Sequence, residues 1–234
     1  HLSLRRQRQM CIRDRVKDAS IPYTAACRGV SYYEQPATPI LADAALADAA
    51  ADLALPEPPP TANRSAAPGS RPACWARIIE GTLDGRIIAV DADSGRPCAN
   101  FGNNGQVDIT LGMGEVPPGY VSITSPPAIV RGVIVTGHQV LDGQRRDAPS
   151  GVIQAYDAIT GKLRWAWDMD QPERSGLPPH EQTYTRGTPN MWTTATGDEA
   201  LGLVYLPLGN SAGDYWSGSR TENQNRYATS LVAV

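Results

Sequence analysis

The sequence predicts an all-β chain built as a repeat array, a β-propeller in preference to a sandwich. Three observations carry this. The phrase AVDADSGRP at 89–97 returns 66 residues later as AYDAITGKLRW at 155–165. Short stretches rich in Val, Ile, Tyr and Trp alternate with loops of Gly, Pro and Asn. No helical period of usable length follows residue 55. Self-similar hairpins at a fixed interval are the mark of units that cannot bury both faces alone and must stack on neighbours.

In each copy of the phrase a small residue and an apolar one lead to Asp, then to a hydroxyl residue, Gly and a cation. The Gly suits the positive φ of a tight turn, and Asp with Ser or Thr can bond the turn backbone. Before the first copy, RIIEGTLDGRIIAVDA places two apolar runs around Asp84-Gly85, a strong hairpin signal. Further strands are expected at GVIVTG (132–137), GVIQAYDA (151–158), KLRWAWD (162–168), LGLVYLPLG (201–209) and SLVAV (230–234). The last halts where the earlier copies run on into Asp, so the chain reads as cut in mid-strand.

The start is of another character. Residues 1–15, HLSLRRQRQMCIRDR, carry a net charge of +4, leaving −7 for the rest of a chain whose total is −3. This segment reads as translated sequencing adaptor and is set aside from the fold; the β unit then opens within 16–35. Residues 36–72, rich in Ala, Pro and Asp, read as a surface excursion, with propeller blades from 73 to 234. A basic arm that is not native removes the argument for nucleic acid, and no run approaches the length of a membrane helix. Of the four cysteines at 11, 27, 74 and 98 none forms a zinc-type pair. Cys74 and Cys98 are compatible with a disulfide or with two separate thiols.

AYDAITGKLRW is similar to the tryptophan-docking motif of the pyrroloquinoline quinone (PQQ) dehydrogenases, and Trp165 would then be a structural blade residue. CRGVSYYE, IIEGTLDGRIIAVDA, GYVSITSPP, DAPSGVIQAYDAITGK, TPNMW and LVYLPLGN follow in the order of the membrane-bound glucose/quinate/shikimate branch. The resemblance covers the chain from about Tyr23 to Val234. It implies part of an eight-bladed propeller, PQQ and Ca²⁺ or Mg²⁺ as cofactors, and a sugar or polyol as substrate. It further implies ubiquinone as electron acceptor and a place on the periplasmic face of a bacterial inner membrane, reached through an N-terminal region absent from this chain. Glucose oxidation to gluconolactone is the expected activity. Quinate/shikimate or polyol oxidation, or a non-enzymatic scaffold that keeps the hairpins alone, are the alternatives.

Carried onto this sequence, the resemblance makes Arg28 a clamp on PQQ oxygens, since a planar charged fork matches carboxylates and polarises a carbonyl. Trp192 becomes the flat floor beneath the quinone, with Thr124 and Ser125 as hydroxyls near the cofactor edge. Asn210, 18 residues after Trp192, becomes an amide-oxygen ligand of the metal. Asp142 aligns with an acidic residue proposed to bind metal; Gly143 replaces the Asn often beside it, and Asp147 could supply the missing carboxylate. The competing structural readings are a surface Arg, a core Trp, a turn-forming Asn and solvated loop carboxylates. His138 and His180 read as structural. The general-base Asp and the Lys that follows it in the family are expected beyond residue 234, so this stretch alone is expected to be inert.

Overall fold

The computed structural model describes residues 28–36, 71–141 and 145–234, and these are almost entirely strand and turn. The first sheet holds β1 (Ser31–Glu34), β2 (Ala76–Gly81), β3 (Arg86–Asp91) and β4 (Gln106–Asp108), in the order β1-β2-β3-β4 and antiparallel throughout. Glu34 lies opposite Ala76, so β1 ends and β2 begins at the same end of this strand pair. Residues 37–70 themselves lie outside the described residues, as do 1–27.

After the small pair β5 (Val121–Ser122) and β8 (Gln139–Val140) comes the second sheet. Its strands are β6 (Ala128–Val130), β7 (Val133–Thr136), β9 (Ile153–Asp157) and β10 (Leu163–Trp167), in the order β10-β9-β7-β6. The third sheet is β11 (Thr196–Asp198), β12 (Leu203–Pro207) and β13 (Leu231–Ala233). These are meanders of the kind that form propeller blades.

The repeated phrase builds the same turn twice. The Asp91 carboxylate accepts from the backbone N–H and hydroxyl of Ser94, and Gly95 at φ +69° donates back to the Asp91 carbonyl. In the second copy Asp157 accepts from the N–H and hydroxyl of Thr160, and Gly161, also at φ +69°, donates to the Asp157 carbonyl. Gly161 has a second reason to be glycine: a Cβ there would come within 2.7 Å of the Gly102 nitrogen in the first blade.

Alternation along the strands sorts the core into two seams. Ile79, Ile87 and Ala89 of the first blade meet Ile134, Val152 and Tyr156 of the second. The opposite face of the second blade, Val135, Ile153 and Ala155, meets Val204, Leu206 and Leu208 of the third, with Trp165 and Trp167 packed against that seam. The docking role expected of Trp165 thus has its physical basis in this inter-blade contact.

Between the first two blades Arg77 is fully buried. Its guanidinium donates to the carbonyls of Cys74, Ala158 and Ile159, so the second repeat turn is bonded to the first blade. Cys74 and Cys98 are joined in a disulfide, which decides between the two alternatives left open by the sequence.

One element departs from the sequence reading. A six-residue helix, α1 (Glu222–Tyr227), precedes β13. It has no buried residue and hence no apolar period to detect; Thr221 caps its N-terminus by accepting from the Gln224 N–H,.

Candidate functional site

At the ends of these strands, residues far apart in the chain converge on the backbone carbonyl of Trp192. Arg28 Nη1 donates to it at 3.1 Å, the Thr124 hydroxyl at 2.6 Å and the Ser125 hydroxyl at 3.0 Å. Arg28 Nη1 also lies 3.2 Å from the Ser125 hydroxyl and 3.5 Å from that of Thr124. Thr124 and Ser125 come from the link between β5 and β6, which Pro126 and Pro127 hold extended,. Their hydroxyls bond the Trp192 backbone directly, where the sequence reading placed them near a cofactor edge.

Trp192 is 47% exposed. The Arg28 guanidinium carbon stands 5.3 Å from its ring centroid, within range of a cation–π contact,. A shallow cleft lined by Thr124, Ser125, Trp192 and Thr193 opens here. Gly209 passes tightly under the indole: a Cβ at that position would meet Trp192 Nε1 at 3.2 Å.

Asn210 follows Gly209. Its Nδ2 donates to the Asp214 carbonyl at 3.0 Å, which leaves Oδ1 buried with no hydrogen-bond partner among the described residues. Asn190, two residues before Trp192, is arranged the same way. Its Nδ2 faces the Asn210 carbonyl at 3.4 Å and its buried Oδ1 has no partner among the described residues. Asn190 lines a second small cavity with Leu141, Thr188, Ser211 and Asp214, and the buried Ser211 hydroxyl likewise has no partner among the described residues. Buried acceptors are almost always bonded, so each unpaired one calls for an explanation such as local strain, a water or an ion.

The remaining expected residues divide. Asp147 is exposed and pairs with Arg145 at 2.8 Å, and the Arg145 guanidinium holds its carboxyl below the usual carboxylate range. Its backbone carbonyl accepts from Arg186. Asp142 lies outside the described residues, although Leu141 beside it lines the second cavity. Among the described residues no group of three or more His, Cys, Asp or Glu is placed to hold a metal. His138 is buried, with Nε2 on the Ser150 carbonyl, as a structural role requires. Sequence reasoning passed over Asn190; the signal was its place in TPNMW, two residues before Trp192.

This set fits a planar, carboxylate-bearing quinone and a hard cation. A half-exposed indole offers stacking area, and a fixed guanidinium stands over it to meet anionic oxygens. Inward-facing amide oxygens are the donors that a hard divalent cation takes.

Comparison with known proteins agrees. Residues 10–234 match the family model "PQQ: Glucose/ethanol/alcohol dehydrogenase, beta-propeller domain". The chain is 47% identical over 93% of its length to the glycerol dehydrogenase large subunit of Gluconobacter oxydans, covering 25% of that protein. It is 38% identical over 89% of its length to the quinate/shikimate dehydrogenase (quinone) of Acinetobacter baylyi, covering 24% of it. With the quinoprotein glucose dehydrogenase of Escherichia coli it shares 36% over 89% of the chain and 23% of that protein. The chain therefore spans about a quarter of the length of these relatives. A family match over nearly the whole chain, together with the paired blades, shows that this chain belongs to the PQQ-dependent glucose/ethanol/alcohol dehydrogenase family, within its β-propeller domain.

Proposed function

We propose that these residues form the cofactor floor and one side of the metal shell of a PQQ-dependent dehydrogenase that oxidises a polyol. The observation that carries the reading is the convergence of Arg28, Thr124 and Ser125 on Trp192, with the indole left half exposed. Bound there, PQQ would supply a two-electron acceptor for oxidation of an alcohol carbon. Trp192 would hold it by stacking, and Arg28 would meet its oxygens with a planar cationic fork. Asn210 Oδ1, with Asp142 and Asp147 as further candidates, would face the divalent cation, Ca²⁺ or Mg²⁺. The two hydroxyls keep the platform from tilting by tying its carbonyl down.

The polyol reading is placed ahead of glucose because the 47% identity is to glycerol dehydrogenase large subunits. Oxidation of glucose to gluconolactone is the second reading, supported by the 36% identical glucose dehydrogenase. In either case delivery of electrons to ubiquinone at the periplasmic face of a bacterial inner membrane is part of the proposal. Among the described residues no helix is long and apolar enough to cross a membrane.

Dye-linked oxidation by the full-length protein, reconstituted with PQQ and Ca²⁺, tests the reading on glycerol, glucose and quinate in parallel. A kcat/KM highest for glycerol supports the first reading and one highest for glucose the second. No turnover of any of the three contradicts both.

A further inference from the structure

The Asp214 carbonyl receives two donors. Asn210 Nδ2 approaches at 3.0 Å and Arg220 Nη2 at 2.6 Å. A carbonyl oxygen only accepts, so the Asn210 atom facing it is the nitrogen, and the amide oxygen is turned the opposite way, into the protein. There Oδ1 is buried without a partner among the described residues. The side-chain orientation that would serve a cation is therefore fixed from outside, by a bond the cation takes no part in.

What holds that carbonyl in place is the loop from Ser211 to Arg220. Its tip gives no apolar anchorage: Tyr215 is fully exposed and Trp216 is 67% exposed. Its position rests on polar contacts. Ala212 N–H donates to the Gly187 carbonyl, Trp216 N–H closes a turn onto Gly213, and Arg220 N–H closes a second onto Ser217. Arg220 then reaches back across the loop to Asp214. Its own starting point is fixed, because Thr221, the next residue, caps α1 and bonds the Asp170 carboxylate, which also accepts from Gln224 at 2.8 Å. Asp170 follows β10 of the second blade, so that blade anchors, through this chain of bonds, an amide on the third.

We propose that Arg220 is a positioning residue for metal binding: through the Asp214 carbonyl it locks the Asn210 amide with Oδ1 directed inward as an acceptor. This rests on the reading of Asn210 as a metal ligand given above. An unlocked amide could turn its NH₂ inward and present donors to a cation, which a hard metal does not tolerate. Partners that orient ligands in this way typically contribute about ten- to a hundred-fold in metal affinity.

The test is PQQ reconstitution of the full-length protein against Ca²⁺ concentration, followed by quenching of tryptophan fluorescence. Arg220→Ala is expected to raise the half-saturating Ca²⁺ roughly ten-fold, with the loss in half-saturation rather than in the quenching reached at saturating metal. Arg220→Lys, which can still donate to Asp214, is expected to return to within about three-fold of wild type. Half-saturation unchanged in Arg220→Ala, while wild type shows Ca²⁺-dependent PQQ binding, overturns the proposal and leaves the functional reading intact. Absence of Ca²⁺-dependent PQQ binding in wild type overturns both. A crystal structure of the loaded wild-type protein tests the geometry without any variant. Asn210 Nδ2 on Asp214 with Oδ1 on the metal supports the lock, and an Asp214 carbonyl turned away from Asn210 overturns it.

Discussion

Arg28 and Trp192, 164 residues apart, are joined twice: the guanidinium stands 5.3 Å from the indole centroid and donates to the same residue's carbonyl at 3.1 Å. A cation that lies against the platform and is bonded to its backbone is already oriented before any ligand arrives. Charge-assisted bonds contribute about 1.5–3 kcal/mol each. Arg28→Ala in the full-length protein is accordingly expected to weaken PQQ binding by roughly ten- to a hundred-fold. Arg28→Lys keeps the charge but loses the planar fork, and is expected to fall between. Fluorescence titration with PQQ reads both.

The disulfide between Cys74 and Cys98 closes a loop with a sequence separation of 24. Both cysteines are buried in the first blade, and the Cys74 N–H is bonded to the Asp91 carboxylate at 2.5 Å. A loop of this length is expected to contribute about 3 kcal/mol through the unfolded chain. Replacing both cysteines by serine should lower the unfolding free energy by that amount, read from the denaturant midpoint and slope, without moving PQQ affinity, measured in parallel.

Arg77 is a fully buried cation that bonds only backbone carbonyls in the described structure. Arg77→Met removes the donors while leaving the carbonyls of Cys74, Ala158 and Ile159 inside the seam. The expected cost is about 3–5 kcal/mol, seen as a drop in the denaturant midpoint or in soluble yield.

His138 supplies a pH signature. Burial pulls its pKa down from 6.5 to about 4, opposed by the bond to the Ser150 carbonyl. The folded state therefore holds the ring neutral, while the unfolded chain takes up a proton near pH 6.5. Its contribution is fully present above that pH and is lost as pH falls toward 4, by about 3 kcal/mol at the acid end,. Denaturant midpoints of wild type and His138→Gln between pH 7.5 and 4 check this: the wild-type curve should fall more steeply.

Much of this was legible in the sequence because it depends on local chemistry. The Asp–hydroxyl–Gly phrase announced a turn, and both copies fold with the same carboxylate and glycine bonds. The strands at 132–137, 151–158 and 201–209 carried enough β-branched residues to be read, and their observed bounds fall inside those windows. What escaped depends on contacts distant in sequence. β1 is four residues long and gains its meaning only by pairing with β2 beyond the excursion. Helix α1 buries nothing and so leaves no period. At the site, Arg28, Trp192 and Asn210 were visible through family resemblance. That the Thr124 and Ser125 hydroxyls bond the Trp192 carbonyl, and that Arg220, Asp214 and Asn210 form a chain, was not, because which backbone carbonyl a side chain meets is a property of the packed loop.

The central claim is that the exposed Trp192 indole is the seat of a planar quinone, and titration of the full-length protein with PQQ in the presence of Ca²⁺ tests it most directly. Wild type and Trp192→Ala are compared by ligand-dependent absorbance and by thermal melt. The account predicts saturable binding in wild type, binding weakened by ten-fold or more in Trp192→Ala, and a stability change of only about 1 kcal/mol, since the side chain is half solvated already,. Equal PQQ affinity in the two proteins, or a variant that loses several kcal/mol of stability, would contradict it and return Trp192 to the role of a packing residue.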